Sequence, residues 1–464
     1  MRRRSPTRAP GSPPRRPEGS CTETPWTWPT DINLFSRHHT LRRLGARAKV
    51  ARTGGIRSHA LGIGISALST KEVTMHKKRL IAAVVGGMLI APAAFAQITI
   101  SGTIKDGLEM YKLGAGKAAV PAASYHYEPR VSDQSSRIIF SGTQDLGGGT
   151  RAWFQLDSRF QSDVGGSTQT NTAATTAINL WAGGNTGVGL AGDWGKLTIG
   201  RWDLHYLEFI PIEFGYAGSL QDLLGAGPMA QVNGSTIANG TRTPNVIMWD
   251  SANMGGVTAR VAYSTAFATN LTGVSSDEGS GKGGAGSSGG ALNAALRWSG
   301  GPLALGASAW SATPEGASSS PAGQQKSVRV WGGYTLPMGL KVGLGFDNSQ
   351  RRQAAGEAMT KRNAFMVPLA YNFGSHTAYL TLVKVGKLSG PNAGGATDST
   401  DATAYALGWE YALSKLATFG VFYAKIDNKA NAAYNFFSLS ANGATAAAAG
   451  ESAAQLYTGF SYRF

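Results

Sequence analysis

From Gln97 to Phe464 apolar and polar residues alternate with period two in segment after segment, the pattern of strands whose two faces meet different surroundings. In Gln97 to Tyr111, Ile98, Ile100, Ile104, Leu108 and Met110 share one face, while Thr99, Ser101, Thr103, Lys105 and Glu109 share the other. Val257, Val261 and Tyr263 oppose Thr258, Arg260 and Ser264, and Tyr405, Leu407, Trp409 and Tyr411 oppose Ala404, Ala406, Gly408 and Glu410. Asp106 falls on the apolar face of the first segment, where a local bulge is expected to accommodate it. Asn245 to Asp250 and His376 to Leu388 alternate too poorly for their facing to be assigned.

The segments run to about 10 residues, beyond the 5 or 6 usual in soluble sheets and enough to cross a bilayer at the tilt of a barrel strand. Short turns such as Asp145 to Gly148, Gly192 to Gly195 and Pro337 to Gly339 alternate with long Gly-, Ser-, Ala- and Asn-rich links. The long links include Gln161 to Gly184, Ala268 to Gly290, Arg351 to Arg362, Ser389 to Asp401 and Asn428 to Ala453. The alternation divides the region into sixteen strands, with short turns at one end and long loops at the other. The expected fold class is all-β: a transmembrane antiparallel 16-stranded β-barrel, wide enough for a water-filled lumen.

Three stretches are predicted along the chain: 1–74, an Arg/Pro/Ser-rich upstream extension that is disordered or precedes the true start; 75–96, a signal peptide; and 97–464, the barrel. The signal is read from basic Met75 to Arg79, apolar Leu80 to Ile90 and the small-x-small Ala94-Phe95-Ala96. Charge supports the division. The whole chain carries 43 Lys+Arg and 27 Asp+Glu, a net +16. Residues 1–96 hold 17 and 4 of these, so 97–464 keep 26 and 23, a net of only +3. That balance removes support for a nucleic-acid partner. The single Cys21 lies in the leader, which excludes disulfides and cysteine-ligated metals from the barrel. No cofactor is expected.

One link is exceptional. Trp202 to Thr241 has no Lys or Arg, contains Asp203, Glu208, Glu213 and Asp222, and is rich in Phe, Ile, Leu and Tyr. So much apolar surface must pack against something, which predicts that the segment folds back into the lumen and narrows it. By parity the inner wall carries Lys105, Arg137, Arg159, Arg260, Arg297, Arg329 and Lys341 against Glu109, Asp157, Asp347 and Glu410. An acidic segment facing a basic wall sets up a transverse field across a constriction. The candidate constriction residues are Lys105, Arg137, Arg159 and Arg242 on the basic side, with Glu208, Glu213 and Asp222 on the acidic side.

Ser136-Arg137-Ile138-Ile139-Phe140-Ser141-Gly142-Thr143-Gln144-Asp145-Leu146-Gly147-Gly148-Gly149 resembles the Ser-Arg-x-x-Phe-x-Gly-x-x-Asp-Leu-Gly-Gly-Gly motif of the general diffusion porins of Gram-negative outer membranes. Gly189 to Arg201, Tyr411 to Lys415 and Gly459 to Phe464 are similar to further segments of that family. The resemblance implies a homotrimer of 16-stranded barrels, each with its third loop folded inside. It also implies outer-membrane lipids and lipopolysaccharide as surroundings, small hydrophilic solutes as cargo, and a barrel-assembly machinery that reads the terminal Phe464. Pro211-Ile212-Glu213-Phe214-Gly215 resembles the family's Pro-Glu-Phe-Gly loop motif with one residue inserted, and Arg137 matches its wall arginine. A further family arginine has no counterpart, since Ala177 to Leu190 contains no basic residue.

The expected function is passive diffusion of small hydrophilic solutes and ions with a weak anion preference. A substrate-specific channel would use inward Trp153, Trp310 and Trp331, and an adhesin or receptor would use Tyr434, Phe436 and Phe437 on the last long loop. Catalysis is not expected, because His126, His205 and His376 are scattered over different parts of the barrel.

Overall fold

The computed structural model describes residues 97–114, 127–163, 181–212, 224–225, 227–237, 242–265, 289–314, 322–391, 397–436 and 446–464. All of them belong to one compact unit. The expected boundaries at 74 and 96, with the leader, lie outside these residues.

Sixteen strands form the wall. The first three are β1 (Gln97–Leu113), β2 in two segments (Tyr127–Asp133 and Ser136–Gly147) and β3 (Thr150–Phe160). The next five are β4 (Thr186–Gly192), β5 (Gly195–Trp202), β6 (Thr243–Asp250), β7 (Val257–Ser264) and β8 (Gly290–Gly300). Then come β9 (Leu303–Thr313), β10 (Gln325–Thr335), β11 (Leu340–Arg351) and β12 (Thr360–Phe373). The last four are β13 (His376–Val385), β14 (Ala402–Ala412), β15 (Ala417–Asn428) and β16 (Ala453–Arg463). Every strand pairs antiparallel with its sequence neighbours, and β1 also pairs with β16 from Thr103↔Arg463 to Leu113↔Ala453, which closes the barrel. Closure leaves no open sheet edge for lipid to meet.

Parity sorts the side chains as the alternation requires. Ile98, Ile100, Leu108 and Met110 on β1, Val261 and Tyr263 on β7, and Leu456, Phe460 and Tyr462 on β16 are exposed on the outside. Their neighbours Lys105, Glu109, Arg260, Gln455 and Ser461 are buried inside. The two strands of unassigned facing resolve cleanly: Ile247 and Trp249 face outward against Val246 and Met248, and Leu382 faces outward against Val383 and Val385. At the short-turn end Tyr371, Phe373, His376 and Tyr411 stack ring on ring at 4.8–5.4 Å, an aromatic belt of the kind that marks a membrane interface.

The expected bulge at Asp106 lies instead in the strand beside it. The β1–β2 register runs Thr103↔Arg137, then resumes one residue out of step at Asp106↔Asp133. The break is Gln134-Ser135, with Ser135 at φ +71°. The Asp133 carboxylate accepts the backbone N–H of Ser135 (2.6 Å) and of Ser136 (3.0 Å), satisfying donors that the ladder gives up there. Ser162 then donates to Asp106 at 2.9 Å. The link read as Arg351 to Arg362 is also shorter than expected, because β11 reaches Arg351 and β12 already begins at Thr360.

The seam between β1 and β16 rests on aromatic rings laid over glycine. A Cβ on Gly107 would lie 2.6 Å from the Tyr457 ring, and one on Gly102 would lie 2.4 Å from that of Phe464. Only glycine lets these rings lie flat on the neighbouring strand.

Candidate functional site

Beyond β5 the chain turns into the lumen, and the wall takes up its backbone group by group. A buried carbonyl needs a donor, and an arginine supplies five in a fixed fork. On β10, Arg329 donates from Nη1 to the carbonyls of His205 (2.8 Å) and Tyr206 (2.6 Å). On β12, Arg362 donates to Gln231 O at 2.6 Å and Met229 O at 2.7 Å. Asp347 on β11 lies between the two guanidinium groups and pairs with both. Phe209 and Ile212 lie against Gly345 and Gly343, where a Cβ would stand 3.0 Å from either side chain. Further on, the segment makes a small hairpin, Gln231–Val232 with Ser235–Thr236, and Gln325 on β10 donates to Thr236 O at 3.2 Å.

His205 is fully enclosed. Its Nδ1 lies 2.8 Å from Ser308 Oγ on β9 and its Nε2 lies 2.8 Å from Ser327 Oγ on β10, with the Trp310 ring stacked alongside. Asn293 donates to Ser308 Oγ at 2.9 Å, and Ser327 donates to Asp347 at 3.3 Å. These donors assign a neutral imidazole that accepts at Nδ1 and donates from Nε2. Burial first, and the Arg329 guanidinium second, hold its pKa well below the ordinary histidine value, with Asp347 opposing them.

The acidic side of the inserted segment differs from the expected arrangement. Glu208 does not face the basic residues of the first strands. It accepts two hydrogen bonds from Arg297 on β8, at 2.8 and 2.6 Å, and one from Trp331 at 3.3 Å. Asp203 forms a 3.5 Å ion pair with Arg242 and accepts the Tyr206 hydroxyl at 2.9 Å. Both described acids therefore neutralise wall cations by contact, because the segment packs onto the wall instead of crossing open water. Glu213 and Asp222 lie outside the described residues.

The four basic candidates do come together. Arg137 and Arg159 stand directly opposite one another on β2 and β3, both facing inward. Lys105 on β1 is within the electrostatic reach of Arg137, Arg159 and Arg463 and of Glu410. Like charges so placed repel, and Asp157 relieves this. It takes a bidentate pair from Arg159 at 2.8 and 2.9 Å and acts on Arg137 and Arg242 as well. Gly184 wraps the carboxylate so closely that a Cβ there would lie 2.0 Å from Asp157 Cγ. The stretch before β4 that lacks the family arginine thus serves as the cover of an acid.

Sequence reasoning missed Arg362, because it was assigned to a link. Its parity with Ala364 and Met366, both buried, is the signal that identifies it. The inward tryptophans are committed to packing: Trp153 lies beneath the Lys196 ammonium at 3.7 Å, Trp310 beside His205, and Trp331 on Glu208. Tyr434 and Phe436, expected as exposed anchors of a receptor loop, are instead buried in one apolar cluster with Phe209, Ile212 and Met229. At these positions the last long loop enters the barrel, and the Tyr434 and Phe436 rings are hidden from any external partner. Phe437 lies outside the described residues.

Comparison with known proteins agrees with this architecture. The family model of the Gram-negative porins matches residues 81–431. The major outer membrane protein P.IB of Neisseria meningitidis serogroup B is 29% identical over 187 residues, 40% of this chain and 49% of that protein. An outer membrane porin protein of Bordetella pertussis is 29% identical over 202 residues, 41% of this chain and 48% of that protein. The chain thus spans about half the length of the curated relatives it matches. Among solved structures, the anion-selective porin from Comamonas acidovorans superposes with a TM-score of 0.59 at 19% identity, covering 80% of this chain and 100% of that one. OmpT of Vibrio cholerae follows at 0.53 and 12%, covering 80% and 98%. At those identities the likeness is one of fold, and it joins the family match and the closed sixteen-stranded wall in a single conclusion: the chain belongs to the Gram-negative porins.

Proposed function

We propose that the protein is an outer-membrane channel for passive diffusion of small hydrophilic solutes and ions, with a weak preference for anions. One observation carries this reading: Arg297, Arg329 and Arg362 on β8 to β12 are bound to the inserted segment, while Lys105, Arg137 and Arg159 form a separate group of inward cations on β1 to β3. On β12 to β15 inward Ala364, Met366, Val383, Ala404 and Ala424 form an apolar cluster with Phe209 and Ile212 of the inserted segment and Tyr434 and Phe436 of the last long loop. A hydrated solute therefore has a polar route along Lys105, Arg137 and Arg159. Around that route Lys105, Arg137, Arg159, Arg242 and Arg463 are grouped with Asp157, Asp203 and Glu410, five positive charges against three negative, which supports a surplus of +2. Glu213 and Asp222 are proposed to reach the constriction from the inserted segment.

The chain fits a homotrimer embedded among lipids and lipopolysaccharide, with short turns toward the periplasm and long loops outside. Residues 75–96 are proposed as the export signal, and Phe464 as the mark recognised during barrel assembly. The test is a salt-gradient reversal potential in a planar bilayer. The double substitution Arg137→Ala with Arg159→Ala is expected to reduce the anion preference; the same potential in both proteins overturns the assignment of the route.

A further inference from the structure

The described parts of the last long loop, residues 429–436 and 446–452 between β15 and β16, are tied to one another and to the inserted segment. Its internal frame rests on three side chains. Asn428 accepts Tyr434 N at 3.0 Å and donates to the carbonyls of Tyr434 and Glu451, both at 2.9 Å. Asn435 accepts Ala447 N at 2.6 Å and donates to Ala433 O at 2.9 Å. Glu451 accepts Ala448 N at 2.8 Å. The described residues 429–436 are thereby held in one conformation at the mouth of the lumen.

Docking onto the small hairpin is reciprocal. Gln231 donates from Nε2 to Asn435 O at 3.2 Å and accepts Asn435 N at 3.0 Å, so one side-chain amide satisfies both backbone groups of a residue on the other loop. Asn233 accepts Ala433 N at 3.1 Å. The hairpin turn makes this approach feasible: a Cβ on Gly234, at φ +81°, would lie 2.7 Å from Ala433 O. Below these bonds Tyr434 and Phe436 enter the apolar cluster that contains Phe209, Ile212 and Met229. The hairpin is consequently held from two sides, by Arg362 on the wall beneath it and by Ala433 to Asn435 on the lumen side.

We propose that the last long loop is a second determinant of the channel's size limit, with Gln231, Asn233 and Asn435 as the positioning residues that set it. The inference rests on the channel reading above. Without these bonds residues 433–436 leave the hairpin, which stays fastened to the wall by Arg362, and the passage widens. None of the three residues is charged, so ion selectivity is unchanged, and this distinguishes positioning from a role in the charged route.

The experiment uses the full mature barrel in liposomes, with swelling rates measured for neutral sugars of increasing size. The double variant Gln231→Ala with Asn233→Gly loses three hydrogen bonds while keeping a residue suited to the left-handed turn. Its undocked fraction rises on the order of a hundredfold. The larger sugars are expected to gain relative to the smallest, with reversal potential unchanged. An identical size profile overturns the proposal, as does a shifted reversal potential with unaltered sizes. Should that variant fail to assemble, Gln231→Cys with Asn435→Cys answers the same question, since the barrel has no cysteine of its own. The oxidised pair is expected to cross-link and keep the wild-type profile, and reduction to admit larger sugars. No cross-link, or the same profile in both states, overturns it. A wild-type protein that swells no liposomes removes the channel reading itself.

Discussion

Replacing Arg362 by Met isolates the attachment of the inserted segment to the wall from the stability of the wall. The guanidinium makes two charge-assisted hydrogen bonds to carbonyls of that segment, at 2.6 and 2.7 Å, and shares Asp347 with Arg329. Hydrogen bonds to charged groups contribute about 1.5–3 kcal/mol each, so the two are worth roughly 3–6 kcal/mol. Burying the thioether of Met returns about 1–2 kcal/mol. Asp347 keeps Arg329, so the larger cost of an unpartnered buried charge does not arise. The net loss is about 1–5 kcal/mol of docking, or roughly a 5- to 4,000-fold rise in the detached population. The strand ladder is untouched, so heat-modifiable migration on a denaturing gel is expected to persist. Single-channel recordings are expected to show a broader conductance distribution and more open-channel noise, and protease to cut between 208 and 237. Arg362→Lys should fall between the two, because one ammonium cannot serve both carbonyls and Asp347 in a fixed fork. A conductance distribution and cleavage pattern superimposable on wild type would refute the reasoning.

Acidification tests the same attachment through His205. Its pKa is lowered in the docked state, so a detached loop binds a proton at about pH 6.5 while the docked imidazole stays neutral. Docking is therefore at full strength above about pH 6.5 and weakens below it by up to about 1.4 kcal/mol per pH unit, until the docked form's own pKa is reached. Open-channel noise should rise as pH falls from about 7 to about 5 and stay level in His205→Gln; parallel traces would exclude His205. Asp157→Asn should move the reversal potential toward anions, since one unit charge at about 6 Å in water amounts to about 0.7 kcal/mol, about threefold in permeability ratio before screening; an unmoved potential would place the filter elsewhere.

The wall was legible because each strand has two solvents, and a two-solvent environment writes period two into the chain. The parity of Lys105, Arg137, Arg159, Arg260, Arg297 and Arg329 follows from it directly. Partners were not legible. Glu208 meets Arg297 from 89 residues away, and His205 meets Ser308 and Ser327 across 103 and 122. No local pattern encodes those meetings, which depend on how a long segment settles inside a closed wall. Arg362 was lost for a different reason: Arg351 to Arg362 is polar enough to read as loop, yet both ends of it are strand. Asp106 signalled an irregularity correctly, but a strand's own sequence does not say which side of a pairing carries the extra residue.

The seam between β1 and β16 has a bearing on how the molecule comes into being. Gly102 and Gly107 on β1 wait for the rings of Phe464 and Tyr457, more than 340 residues further along. Contacts of such sequence separation are the slowest to form, because nearly the whole polypeptide must be gathered before the first of them is possible. Until Tyr457 and Phe464 arrive, β1 presents an unpaired margin notched with two vacant seats, at Gly102 and Gly107. The β1–β16 seam, with Tyr457 and Phe464 seated on Gly107 and Gly102, is therefore the last part of the wall to form.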